Sequence, residues 1–256
     1  MKTLALTGLQ KDETLGEAHG WLALANLHSD WNWVEAEKEF RRALKLNPSN
    51  ADIRHDYAHY LLVMDRLNES MAESKRSLEL NPFDTMLIAC VGWHCPYSRQ
   101  YDQTVEYCLK ALAIDPTTTW AHLNLGWTFE QKSMFKEAIA EFKNAVSGWD
   151  TVLANAALGH GFAVSGDRRQ AEEILAKPKE RSKKGNVSAY DIAVVHQGLG
   201  DKDQAFEWLE KAYAERSGFL IHVKWDPRFA SLHSDPRFQD LIRRIGLPSL
   251  DRRKAA

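Results

Sequence analysis

Three prolines recur at a fixed interval in this chain: Asn47-Pro48, Asn81-Pro82 and Asp115-Pro116, with 82 − 48 = 34 and 116 − 82 = 34. A self-similar period of about 20–50 residues marks a stacked repeat architecture. Each unit in such an array is too small to bury its apolar face alone, so neighbours stack into one continuous core. The question of function then moves from "which pocket" to "which surface".

The rest of the repeat fits around the prolines. With Pro at position 32 of the unit, repeats begin at Glu17, Ala51, Thr85 and Thr119. Ala36, Phe40 and Ala43 then fall at positions 20, 24 and 27, as do Ala138, Phe142 and Ala145, with Leu125-Gly126 and Phe129 upstream of the second set. Two units lack the Pro but keep the spacing. One begins near Val152 (Leu158-Gly159, Phe162, Ala171, Leu175), the other near Asn186 (Ile192-Ala193, Ala205, Leu209, Ala212).

The pattern within a unit is helical. Ala36, Phe40, Ala43 and Leu44 lie at i, i+4, i+7 and i+8 with charges between them, one face of an α-helix. Each repeat Pro follows such a segment, which it cannot continue. Ser165-Gly166-Asp167 and Leu199-Gly200-Asp201 read as turns between the two helices of a unit. No segment alternates with period two for long enough to predict a sheet.

Over roughly residues 17–216 the pattern resembles the tetratricopeptide repeat family. The resemblance implies an all-α, right-handed superhelical solenoid of about six helix-turn-helix repeats, near 17–50, 51–84, 85–118, 119–151, 152–185 and 186–216. Residues 1–16 read as the remnant of an incomplete helix pair, and 217–256 as a C-terminal cap and tail. In that tail Asp226-Pro227-Arg228-Phe229 recurs as Asp235-Pro236-Arg237-Phe238, each Asp suited to cap a helix and each Pro to its first position. Phe229, Phe238, Leu241 and Ile245 form the apolar set expected to shield the last repeat. The tail, together with Trp31-Asn32-Trp33, Gly126-Trp127 and the run from Ala205 to Ala212, resembles the C-terminal arrays of bacterial signalling proteins fused to winged-helix or serine/threonine kinase domains. No Gly-rich phosphate loop, Asp-Phe-Gly triplet or basic recognition helix is present, so a sensor or adaptor role is expected, without enzymatic activity.

Composition sets limits. A net charge of −2 gives no basic footprint for nucleic acid. The N-terminal residues reach Lys11-Asp12-Glu13 too soon for a secretory apolar core, and no run approaches the roughly 18 apolar residues of a membrane span, so a cytoplasmic protein is expected. The three cysteines lack Cys-x-x-Cys spacing; Cys95 and Cys108, at packing positions 11 and 24, read as small core residues. Pro96, at position 12 of the third repeat, should kink or stop the first helix of that unit.

The family resemblance also implies a concave face built from positions 2, 5, 9, 12 and 13 of each first helix. Here those positions give Trp21, His55, His59, Met86, Trp93, Tyr97, Trp120, Leu123, Trp127, His160 and Tyr190, an aromatic groove with few charges. It lacks the Lys, Arg and Asn set with which a subfamily of such proteins clamps a peptide carboxylate. Trp and Tyr concentrate binding energy at interfaces, so a protein–protein interaction module holding a peptide or partner helix is expected. A structural scaffold acting through self-association is the alternative. His55 and His59 stand one helical turn apart, a spacing able to hold one zinc ion, but no third ligand is fixed by the sequence; no metal, cofactor or catalytic residue is assigned.

Overall fold

A computed structural model describes residues 2–95, 100–181 and 188–250. Its elements are helices, with no strand among the described residues. Helix α1 (Lys2–Lys11) leads into six antiparallel pairs. These are α2 (Gly16–Ala25) with α3 (Trp33–Leu46), α4 (Ala51–Val63) with α5 (Leu67–Leu80), and α6 (Thr85–His94) with α7 (Tyr101–Ile114). Then follow α8 (Thr119–Gln131) with α9 (Phe135–Gly148), α10 (Val152–Val164) with α11 (Arg168–Arg181), and α12 (Ala189–Gly198) with α13 (Lys202–Ala214). The tail adds 3-10 turns at Gly218–His222 and Pro227–Leu232 and ends in α14 (Pro236–Ile245). No described helix is long and apolar enough to cross a membrane.

Local chemistry sets the boundaries. Pro48 and Pro82 lie in the linkers between pairs, and the polar residue just after each linker caps the next helix. Asn50 accepts from the Ile53 amide at 2.9 Å, and Asp84 accepts from the amides of Met86 and Leu87. In the five pairs whose connecting segment is fully described, the chain passes between the two helices through a left-handed residue: Trp31, Asp65, Ser133, Gly166 or Gly200. Gly166 and Gly200 adopt that conformation without Cβ strain. Gly126 answers to packing instead: a Cβ there would come within 2.3 Å of the Phe142 ring. Ala36, Phe40, Ala43, Ala138, Phe142 and Ala145 are all fully buried, which is the role their spacing predicts. Helix α6 stops at His94, before Pro96; Pro96 and Tyr97 themselves lie outside the described residues.

The tail does more than cover the last pair. It packs on α12 and α13, where Phe229 meets Tyr190 (ring centroids 5.6 Å apart) and the Arg237 guanidinium lies 4.0 Å over the Phe206 ring. It also returns to the start of the array. The His28 ring meets the Gly218 carbonyl at 3.2 Å, Trp33 Nε1 donates to the Ile245 carbonyl, and Lys224 Nζ donates to Asp65 at 2.5 Å. First and last pairs touch directly through Trp31 and Tyr213, 5.4 Å between centroids. One buried cluster therefore joins Phe40, Tyr60 and Leu61 of the first two pairs to Leu209, Phe229, Phe238 and Ile245. Simple solenoids are held by contacts between adjacent repeats; here the tail closes the curved array on itself.

Candidate functional site

The closure forms a partly open cavity of about 460 Å³, within the roughly 300–1,000 Å³ range of ligand pockets. Its inner wall comes from the first helices of successive pairs: His55 and His59 on α4, Met86, Cys90 and Trp93 on α6, and Trp120, Asn124 and Trp127 on α8. The facing wall is the tail, through Phe219, His222, Lys224, Trp225, Asp226 and Arg228. Trp93 and Trp127 occupy equivalent repeat positions (127 − 93 = 34), and Trp120 lies two turns before Trp127 on α8, so three indoles share one strip. All three are half-buried and line the cavity.

A charged network fixes the tail wall. Asp226 caps the 3-10 turn after it, accepting from the Arg228 amide at 3.0 Å. Its two oxygens accept from Arg228 Nε at 2.8 Å and Nη2 at 2.6 Å, and Tyr190 Oη donates to Oδ2 at 2.7 Å. Burial alone would raise the Asp226 carboxyl, but the Arg228 guanidinium and these donors hold it below its ordinary value. Arg228 lies 5.3 Å over the Trp127 ring, and its carbonyl accepts from Gln197 Nε2 at 2.8 Å. Beside it, burial pushes Asp191 up to about 6 against the opposing pull of Arg228. The two cations of this wall are thus already paired, Lys224 with Asp65 and Arg228 with Asp226.

An imidazole cluster lies on the other side. His55 and His59 project from α4, 4.5 Å between ring centroids. His59 is 4.8 Å from Trp93, 5.2 Å from His94 and 6.2 Å from His222 of the tail. Burial depresses all of them, His55 to about 4 and His94 and His222 to about 3, and for His59 the neighbouring imidazoles add to the burial, so the rings are neutral. The second pair makes this arrangement compatible with packing, because the buried face of α5 carries Ser70, Ser74 and Ser77 where α3 carries Ala36, Phe40 and Ala43. Ser70 Oγ donates to the Ala58 carbonyl at 2.7 Å and meets His94 Nδ1 at 3.0 Å.

Of the residues expected on the concave face, His55, His59, Met86, Trp93, Trp120, Trp127 and Tyr190 come together around the cavity. Three described residues do not join them. Trp21 is half exposed on α2 and lines none of it. Leu123 is buried in the packing between α8 and α9, with Phe142 and Ala138. His160 is buried and its Nδ1 meets Glu130 Oε1 at 3.0 Å. Repeat position identifies a helix face, but neighbouring pairs cover part of that face, and position alone cannot tell which part. Sequence reasoning missed the tail wall and Cys90. The repeated Asp-Pro-Arg-Phe motif was the signal for the former, read as an end cover instead of a lining.

Comparison with known proteins bears on the fold. A family model described as "Tetratricopeptide repeat" matches residues 188–216, the α12–α13 pair. The mouse protein O-mannosyl-transferase TMTC3 is 25% identical over 125 residues, which is 49% of this chain and 10% of that protein. The chain thus spans about a tenth of that curated relative. Among solved structures, a human IFIT1 dimer with m7Gppp-AAAA superposes over 95% of this chain and 58% of that one, at 20% identity and a TM-score of 0.66. The hetero-tetramer Cut9-Hcn1 of the APC/C superposes over 95% of this chain and 45% of that one, at 15% identity and a TM-score of 0.61. With one repeat matched in sequence and the stacked helix pairs matched across nearly the whole chain, these findings support a tetratricopeptide-repeat protein with an all-α solenoid fold.

Proposed function

We propose that this chain is a non-catalytic interaction module that binds a partner protein by enclosing a short apolar or aromatic segment of it in the central cavity. The observation that carries the reading is the strip of Trp93, Trp120 and Trp127 on one wall of a partly open cavity of about 460 Å³. Large, rigid indoles lining a pocket are among the side chains that dominate binding energy. The volume suits a few side chains, whereas a full partner helix about 10–12 Å across would need the tail displaced. The neutralised tail wall argues against a polyanionic ligand, because Lys224 and Arg228 already hold carboxylates. A regulatory or adaptor role in signalling rests on the resemblance of the tail and the Trp-containing motifs.

Selection of peptides from a random display library on the purified chain tests this reading. Enriched peptides should share an apolar or aromatic core, quench tryptophan fluorescence, and lose at least about tenfold in affinity with Trp127→Ala or Trp93→Ala, as for interface anchors. Thermal melts separate binding from packing. A selection without such a core, or binding indifferent to both variants while their melts drop by several degrees, leaves the indoles as packing residues only.

A further inference from the structure

We propose that His55, His59 and Cys90 form a binding site for a transition-metal ion of zinc type at the wall of the central cavity. One imidazole or thiol nitrogen or sulfur from each of the three lies within 4.8 Å of the others, and His55 Nε2 is 3.9 Å from Cys90 Sγ. In a tetrahedral zinc site, bonds of about 2.0–2.3 Å set ligand atoms roughly 3.5 Å apart. The three atoms therefore need to draw together by about an ångström to reach that spacing. Two imidazoles and a thiolate are borderline-soft donors, the mixture that suits Zn²⁺ and excludes Mg²⁺ or Ca²⁺, which take oxygen.

The surroundings add an independent observation. Ser70 has a single hydroxyl hydrogen, and it goes to the Ala58 carbonyl, so the contact of Ser70 with His94 Nδ1 requires His94 Nδ1 to be the donor. That fixes the His94 tautomer and leaves Nε2 as a bare lone pair. This atom is buried without any hydrogen-bond partner, on a ring 5.2 Å from His59. An orphaned buried acceptor is costly unless something uses it. His94 Nε2 lies outside the 4.8 Å group but offers a lone pair beside it for a fourth position, and its other nitrogen already has the outer hydrogen bond typical of metal-bound histidine. Burial is the main influence on His55 and Cys90, and the carboxylates of Asp52 and Asp84 beside His55, with Asp84 also acting on Cys90, add a negative field that favours a cation. Ligation releases the Cys90 proton to solvent, leaving thiolate bound to the ion. The inference is independent of peptide capture, since it concerns the α4–α6 wall alone.

Cobalt tests it on the full chain. Co²⁺ added to chelator-treated protein should bind one ion per chain and produce a thiolate-to-cobalt charge-transfer band with the intense visible bands of tetrahedral cobalt, both displaced by Zn²⁺. Cys90→Ser should abolish the charge-transfer band, and His59→Gln should weaken Co²⁺ binding by a factor of about ten or more. Cys108→Ser, a buried thiol outside the cluster, should leave the spectrum unchanged. Circular dichroism on each variant separates lost binding from lost folding, and elemental analysis of unchelated protein gives a second readout. No Co²⁺ uptake by the native chain, or a charge-transfer band that persists in Cys90→Ser, overturns the proposal.

Discussion

The tail carries the same four residues twice, and the two copies end in opposite environments. Asp226-Pro227-Arg228-Phe229 and Asp235-Pro236-Arg237-Phe238 adopt the same local fold: Asp caps a helical turn, Pro takes its first position, and the Arg two residues on returns to its own Asp. In both, the Phe is fully buried. The Arg is what differs. Arg228 is buried among Tyr190, Trp127 and the cavity, whereas Arg237 is half exposed and shares itself between Asp235 and Asp203. The motif is thus a self-sufficient cap with an apolar anchor, and the surface onto which it docks decides whether its ion pair is structural or merely solvated.

That contrast predicts a graded set of effects. Removing either anchor should do most damage and should not distinguish the copies: Phe229→Ala and Phe238→Ala should each cost about 3–5 kcal/mol in denaturant melts. A small loss for one of them alone would mean that its copy does not anchor the tail. The arginines should separate the copies. Arg228→Ala strands a buried carboxylate and should cost about 3 kcal/mol or more, with loss of affinity for any cavity ligand. Equal effects of Arg228→Ala and Arg237→Ala would break the comparison.

Acid titration sharpens it further. Asp226 is held below its ordinary value of 3.8, so the unfolded chain binds its proton more readily. Its stabilisation is present above that value and is lost as the pH falls through the lower, folded-state one. Asp226→Asn should therefore be less stable at neutral pH and flatter in its acid limb than the parent. An acid limb of unchanged slope would remove Asp226 from the account. The smallest effect belongs to Arg237→Ala, whose ion pairs with Asp235 and Asp203 are exposed and whose guanidinium rests on the Phe206 ring: the loss should be far below that of Arg228→Ala, and its ion-pair part should fade with salt.

The contrast also explains what the sequence could show. Period and residue size at Ala36, Phe40 and Ala43 report contacts between adjacent segments, which repeat and so leave a visible pattern. The docking of Lys224 on Asp65, or of Ile245 on Trp33, joins residues more than 150 positions apart and occurs once. Nothing periodic records it. The apolar stripe of Phe238, Leu241, Ile242 and Ile245 shows that α14 must be covered, but it is silent on whether one end of the array or both supply the cover. For the same reason His55 and His59 were visible as a pair on one helix, while Cys90, on a different helix and outside the positions taken to line the concave face, was not. Trp93, Trp120 and Trp127 were legible because they follow the 34-residue beat and the turn of α8.

Closure of the array by its own tail underlies the cavity, the buried copy of the motif and the proposed binding mode, and a cross-link tests it directly. A Cβ placed at position 218 would lie 3.5 Å from the Cβ of His28, at the short end of the roughly 3.5–4.5 Å spanned by disulfides. The double variant His28→Cys with Gly218→Cys should therefore oxidise to an intramolecular disulfide that migrates faster on a non-reducing gel and raises the melting temperature. Neither single variant should do so. A double variant that stays reduced under the same oxidant, or that links only between chains, would contradict closure and leave an open solenoid.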